Sequence, residues 1–271
     1  MPSSKVDLTP VTSLRQIRIG DSDAAPPSGL PKHKHLAEAA EEQVDRIRKL
    51  QQKLYADARF ALLVVLQGRD ASGKDGTVRK VFSGVNPMGC VVTSFKAPTE
   101  IEQEHDYLWR VHERIPPRRM IGIFNRSHYE DVIVPRVHKS ISRQTLSDRF
   151  KQINDFERML AENSVVILKF FLHVSRDEQK KRLKERLEDK KKNWKFRAGD
   201  LEDRALWDNY TKAYREAIAS CSTSWARWHI VPADDEDARD FLVATKIADT
   251  LDALDLQYPP LDPDLKDIKV K

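Results

Sequence analysis

The chain has 271 residues, 33% of them charged and 40% hydrophobic, with a formal net charge of +5. That length suits one large α/β domain or a domain carrying an insertion. No apolar run is long enough to span a membrane and no apolar signal segment opens the chain, so a cytoplasmic protein without membrane contact is expected. Two cysteines, Cys90 and Cys221, exclude a disulfide framework and a zinc pattern. The small positive excess admits an anionic partner. No helix-turn-helix, finger or aromatic-interleaved platform accompanies it, so nucleic acid is not expected.

Residues 1–34 are rich in Pro, Ser and Asp with little apolar pattern and read as an extension that wraps the surface or lacks order. The domain proper is expected over 35–258. It begins with a helix from His35 to Asp57, where Leu36, Ala39, Ala40, Val44, Ile47, Leu50 and Leu54 recur at helical spacing. Phe60 to Gln67 (FALLVVLQ) is apolar and β-branched in the middle, as a strand buried on both faces must be.

GRDASGKDGT, Gly68 to Thr77, follows at once, and TVRKVFSGV reads as a helix. Strand, glycine-rich turn with Lys, then helix is the setting in which GxxxxGK binds phosphate. Gly68 and Gly73 let the backbone approach an anion, the N–H groups at the helix start point at it, and Lys74 adds a full charge. Ser72, Asp75, Gly76 and Thr77 complete the expected cradle. Asp75 stands where Ser or Thr commonly holds Mg²⁺, and Asp70 sits inside the loop. A carboxylate among phosphates is repulsive without a cation between them, so Asp70 reads as a Mg²⁺ contact. Asp75 is either a second such contact or an acid favoured by the helix dipole.

Cys90 to Ser94 predicts a second strand with Lys96 just past its end, where open α/β sheets bind ligands. Ile101 to Glu113 predicts a helix, and Met120 to Phe124 a short strand running into NRSHYED. There Arg126 can reach the transferring phosphoryl group, and Asn125 occupies the place of a Walker-B carboxylate but offers only a neutral oxygen. Glu130 and Asp131 are metal contacts or the acids of a capped helix start. His128 has no partner in the sequence and reads as packing or hydrogen bonding.

Residues 140–163 predict a helix with Leu146, Phe150, Ile153, Phe156 and Leu160 on one face, and Ser164 to Val174 another buried strand. The stretch 175–220 is heavily charged, with few core positions beyond Leu183 and Leu187. It reads as a helical lid with Arg182 and Arg186 on one face. Trp228 to Val231 gives a last strand, Glu236 to Leu256 a helix, and 259–271 a peripheral tail. Alternating strands and helices define a doubly wound parallel sheet of about five strands with a helical lid insertion.

GRDASGKDGT, SFKAPT, FNRSHYEDV, DEQKKRLKERLEDKKKNWKF with ALWDNY, and PADDEDARD together resemble the type 2 polyphosphate kinases over about residues 60–256. The resemblance implies a P-loop kinase fold and a homo-oligomer, dimer or tetramer. It also implies reversible phosphoryl transfer between inorganic polyphosphate and nucleotides with Mg²⁺, for which Mn²⁺ can substitute. FNRSHYED with Asn125 and Glu130 resembles the subgroup that accepts nucleoside mono- and diphosphates, AMP and ADP with GMP and GDP as further acceptors. Carried over, Asp70, Lys74 and Arg126 are catalytic, and Asp70, Asn125 and Glu130 metal-binding. Lys96, Arg136, Arg182 and Arg186 become phosphate contacts. An ATP-dependent monophosphate kinase of the same fold and a non-enzymatic polyanion-binding module are the competing readings. The second leaves the phosphate loop without a purpose.

Overall fold

The computed structural model describes residues 8–191 and 193–263. Five strands form one parallel sheet: β1 (Ala61–Gln67), β2 (Cys90–Ser94), β3 (Ile121–Asn125), β4 (Val165–His173) and β5 (Trp228–Pro232), in the order β2-β3-β1-β4-β5. β1 is central and buried at all seven positions. Its side chains alternate between two cores. Leu62, Val64 and Leu66 face one, and Ala61, Leu63 and Val65 the other, which is why the sequence shows an unbroken apolar run rather than alternation.

The first core is covered by α1 (His33–Asp57) and α10 (Glu236–Asp252), through residues such as Val44, Ile47, Leu242 and Ile247. The second is covered by α5 (Glu130–His138), α6 (Arg143–Glu162) and α9 (Trp207–Cys221). Helix α2 (Lys74–Val81) follows β1. The sheet leaves β1 toward β3 on one side and toward β4 on the other, so the crevice at the carboxyl ends of β1 and β3 is the switch point where such folds bind ligands. The register sets Leu66 beside Asn125 and Gln67 beside Phe171.

Four expectations change. The segment before α1 is no loose wrap in its described part: Leu8, Val11, Ile17, Ile19 and Ala24 are buried, and the Val11 N–H donates to Trp228 O at 2.8 Å. Its apolar residues fill gaps at irregular spacing, which no periodicity reveals. Residues 1–7 and the tail from 264 lie outside the described residues.

The helix expected over 101–113 is two short ones, α3 (Glu100–Gln103) and α4 (Trp109–His112). Asp106 breaks it by accepting from the Leu108 N–H and, through its carbonyl, from the Trp109 N–H.

The expected lid divides into α7 (Arg176–Glu188), α8 (Gly199–Ala205) and α9. α9 buries Trp207, Tyr210, Ala213, Tyr214, Ala217, Ile218 and Cys221 and is a layer of the domain. Leu187, read as a core position, is 53% exposed.

Candidate functional site

The site grows from the ends of β1 and β3. A Cβ on Gly68 would lie 2.6 Å from Leu172 O and from Ser72 Oγ, so only glycine lets the chain leave β1 this close to β4. Gly73 has φ +98° at the start of α2, and the Arg239 guanidinium of α10 packs against the face a side chain would occupy. Arg239 is buried and donates through Nε to Asp240 Oδ1 at 2.9 Å, while the Thr77 hydroxyl donates to the same oxygen at 3.0 Å. Helix α10 thus braces the loop from behind. The Thr77 hydroxyl, expected in the cradle, is turned inward, and a Cβ on Gly76 would lie 3.3 Å from Arg239 Nη2.

Lys74 Nζ is buried and donates to Gly68 O (2.7 Å) and Arg69 O (2.9 Å), with Ser72 Oγ at 3.5 Å. Burial pushes the ammonium down to about 8, with the nearby Arg126 charge adding to the effect. An anion arriving at the loop would favour its charged form.

Across the crevice, the Arg126 N–H donates to Leu66 O at 3.0 Å, and its backbone takes φ +62°. Its guanidinium bridges two carboxylates, with Nη2 to Asp70 Oδ1 at 2.6 Å and Nη1 to Glu130 Oε2 at 3.3 Å. Burial opposes the Arg126 charge, but Glu130 and Asp70 outweigh it and hold the group above its ordinary range. The other Glu130 oxygen accepts from Gln67 Nε2 at 2.9 Å. Asn125 Nδ2 donates to Asp75 Oδ1 at 2.7 Å. Asp70, Asp75, Asn125, Arg126 and Glu130 therefore form one contiguous polar cluster beside Lys74.

A cavity of about 450 Å³ opens from this cluster. Gly68, Asp70, Arg126 and Glu130 line one wall, with Lys96 at the end of β2. Phe95, Pro98, Val134, Pro135, Trp207 and Tyr210 give the other walls an apolar character. That combination of apolar surface and a few convergent polar groups is the usual form of a small-molecule site.

The structure separates the remaining assignments. Arg186 Nη1 lies 3.9 Å from Asp200 Oδ2. The Asp200 carboxyl is raised by burial and by the charge of Asp70, which sets this pair within electrostatic reach of the site. Arg182 is not a free lid cation. It is buried, with Nε on Glu178 (2.9 Å), Nη1 on Ala71 O (3.1 Å), and Nη2 on Ala233 O (2.7 Å) and Asp234 O (3.0 Å). It ties α7 to the loop and to the end of β5. Arg136 is turned to Glu216 of α9 (2.8 Å) and lines no part of the cavity.

Three contributors escaped the sequence reading: Gln67, Arg69 and Arg110, the last as the partner of the Asp131 already singled out. Arg69 stacks on Trp207 with its guanidinium carbon 3.9 Å from the ring centroid, and burial lowers it to about 10. Arg110 Nη2 donates to Asp131 Oδ2 at 3.1 Å and Nη1 to Lys96 O at 2.8 Å. Arg69, lying between two loop residues already singled out, offered the clearest missed signal.

Oxygen ligands without a protein cage suit Mg²⁺, which takes one or two carboxylates and completes its shell with water and phosphate. Asp70 and Glu130 supply such oxygens. Among the described residues no group of three or more His, Cys, Asp or Glu could hold a metal ion.

A parallel sheet with a phosphate loop at its switch point and cations converging on it defines a P-loop kinase-like protein. The family model for polyphosphate kinase 2 matches residues 30–259, and the chain belongs to that family. It is 53% identical over 214 residues to the AMP/ADP-polyphosphate phosphotransferase of Meiothermus ruber, covering 79% of this chain and 80% of that protein. It is 43% identical over 241 residues to the ADP-polyphosphate phosphotransferase of Rhodopseudomonas palustris, covering 84% and 83%. The crystal structure of polyphosphate kinase 2 from Arthrobacter aurescens superposes with a TM-score of 0.86 at 38% identity, over 94% of this chain and 95% of that one.

Proposed function

We propose that the protein transfers phosphoryl groups between inorganic polyphosphate and nucleoside mono- and diphosphates, AMP and ADP among them. One observation carries this reading: Arg126 stands between Asp70 and Glu130, beside a buried Lys74 bonded only to loop oxygens. The backbone N–H groups at the start of α2 and Lys74 would receive the phosphates, and the apolar cavity the nucleoside. Incoming phosphate competes for Arg126, which would leave the two carboxylates for the charge developing on the transferred group. Phosphoryl transfer needs little covalent help, and positioning with charge neutralisation supplies most of the rate. Asp70, Glu130 and the amide oxygen of Asn125 would hold Mg²⁺, which neutralises phosphate charge when bound.

The test is chromatographic. AMP or ADP is incubated with Mg²⁺ and either polyphosphate or ATP as donor. Polyphosphate-dependent formation of ADP and ATP is expected, and use of ATP alone would establish a monophosphate kinase instead. GMP and GDP, run in parallel, give the base preference. Removing the divalent ion with a chelator should abolish transfer, and Mn²⁺ should restore it.

A homo-oligomer belongs to the same proposal. Support comes from the edge of the sheet, where Met88 (71%), Val91 (40%) and Val92 (48%) stay exposed around β2. An uncovered apolar edge favours a partner, and light scattering on the purified protein gives the mass. The two free cysteines support a reducing, cytoplasmic setting. No described helix is long and apolar enough to cross a membrane.

A further inference from the structure

Beneath the transfer site lies a second polar cluster that touches no part of the cavity. Lys169, in the middle of β4, is fully buried with Nζ 2.5 Å from Glu157 Oε2 of α6. The same ammonium donates to the Tyr129 hydroxyl (2.7 Å) and to Cys221 O (2.7 Å). The Tyr129 hydroxyl donates in turn to Glu157 Oε1 at 2.9 Å, and His128 Nε2 lies 3.3 Å from that oxygen. Burial would raise the Glu157 carboxyl, but Lys169 and His128 prevail and hold it below its ordinary range. One carboxylate therefore gathers two consecutive residues of the loop after β3.

That loop also carries Arg126, whose left-handed backbone is costly for a residue with a side chain and persists only where the surroundings fix it. Its own N–H on Leu66 O fixes one end. Ser127 is buried and accepts from the Tyr129 N–H at 3.2 Å. Tyr129 then leads directly into Glu130, the other carboxylate partner of Arg126. Both members of the Arg126–Glu130 pair thus flank the anchored residues. For stability alone an apolar filling would serve as well, because a buried ion pair must offset its own desolvation. Directional bonds provide a fixed geometry.

We propose that the buried Lys169–Glu157 pair is the positioning device of the site, latching His128 and Tyr129 so that Arg126 stands between Asp70 and Glu130. This rests on the phosphoryl-transfer reading above.

The test uses Tyr129→Phe and Glu157→Gln, both near-isosteric, assayed with polyphosphate well below their melting temperatures. A displacement of about 1 Å in a positioning group can cost up to ~10²-fold, so kcat should fall by ~10-fold or more. The KM values for polyphosphate and acceptor should change far less than kcat, since Lys74, the loop N–H groups and the cavity wall are untouched and Arg126 exerts its main effect on the transferred group. A second readout is coupling. In an Arg126→Lys background, Tyr129→Phe should cost clearly less than in wild type, because the group being positioned is already compromised. Unchanged kcat in either folded variant, or losses that multiply independently of Arg126, would show a structural role only and overturn the inference. Absence of polyphosphate-dependent transfer in wild type would sink the reaction itself, a different outcome from an active wild type with indifferent variants.

Discussion

Among the described residues two lysines are buried, and their surroundings are opposite. Lys74 hydrogen-bonds only to neutral oxygens of its own loop, with the carboxylates of Asp70, Glu130 and Asp75 acting on it from further off. Lys169 meets a carboxylate, a phenol and a carbonyl. Enclosure penalises a charge, and a counterion relieves the penalty. Lys169 is therefore complete as it stands and acts as a strut. Lys74 has no carboxylate among its hydrogen-bond partners, and burial with the nearby Arg126 charge lowers it to about 8. Burial alone does not mark a functional cation. Burial with nothing but replaceable neutral partners does.

The comparison breaks first at the strut. Lys169→Met leaves Glu157 buried without its cation, and removing one partner of a buried pair costs about 3–5 kcal/mol. Lys169→Met with Glu157→Leu removes both charges and should recover most of that loss. Denaturant titration of the three proteins decides. A single variant within about 1 kcal/mol of wild type would show that the pair contributes little.

Lys74→Met should do the reverse. It removes a buried charge but also leaves Gly68 O and Arg69 O without their donor, so the two effects oppose and stability should stay within about 1 kcal/mol of wild type, while kcat falls by ~10²-fold or more, as when one transition-state charge contact is lost. The sign of the pH effect follows. The folded value, about 8, lies below the ordinary 10.5, so between these values the unfolded chain binds the extra proton. The penalty of enclosing the charge is full below about 8 and is relieved as pH rises through that window. Relative to Lys74→Met, wild type should gain stability from pH 8 upward, and its affinity for polyphosphate should weaken there. Parallel pH profiles of wild type and variant would reveal a Lys74 with an ordinary titration.

The same contrast explains what could be read in the sequence. Gly68, Asp70, Lys74, Asn125 and Arg126 lie within a few residues of a glycine-rich turn or a strand end, so local order announces them. β1 was legible because burial on both faces writes an uninterrupted apolar run. Gln67 and Glu130 are 63 residues apart and meet only through the register of β1 and β3. Arg239 becomes part of the loop only when α10 packs behind Gly73. Lys169 did leave a sign. A lysine inside SVVILKFFLHV cannot face water from a strand buried on both sides, and so requires a buried partner. Helical spacing set Arg182 and Arg186 on one face but could not say that the face turns from the core at one residue to a partly exposed site beside Asp200 at the other.

Those two arginines give the next, smaller test. Arg182→Ala strands three backbone carbonyls that its guanidinium satisfies, and should destabilise by about 1–3 kcal/mol. Arg186→Ala, at a partly exposed site with a 3.9 Å partner, should shift stability by no more than about 0.5 kcal/mol while reducing use of polyphosphate. Thermal melts beside donor kinetics separate them. Equal melting temperatures would return Arg182 to the phosphate contacts.

The smallest effect belongs to Asn125. Its amide donates to Asp75 at 2.7 Å, so Asn125→Asp exchanges a hydrogen bond for two facing carboxylates. The site is partly open to solvent, which screens the repulsion well below the roughly 4 kcal/mol of two charges ~4 Å apart at an effective dielectric near 20. What remains is an added demand for a cation. The variant should reach half-maximal rate at lower Mg²⁺. It should also favour the acceptor that brings more phosphate to share that ion, shifting the kcat/KM ratio from AMP toward ADP by about two- to fivefold, the scale of a solvent-exposed charge contact. Both acceptors are measured at fixed Mg²⁺ and then across a Mg²⁺ series. If the ratio stays constant while the Mg²⁺ requirement drops, Asn125 affects the ion without selecting the acceptor. If neither moves, the amide only holds Asp75 at the start of α2, and the choice between mono- and diphosphate resides in the cavity wall instead.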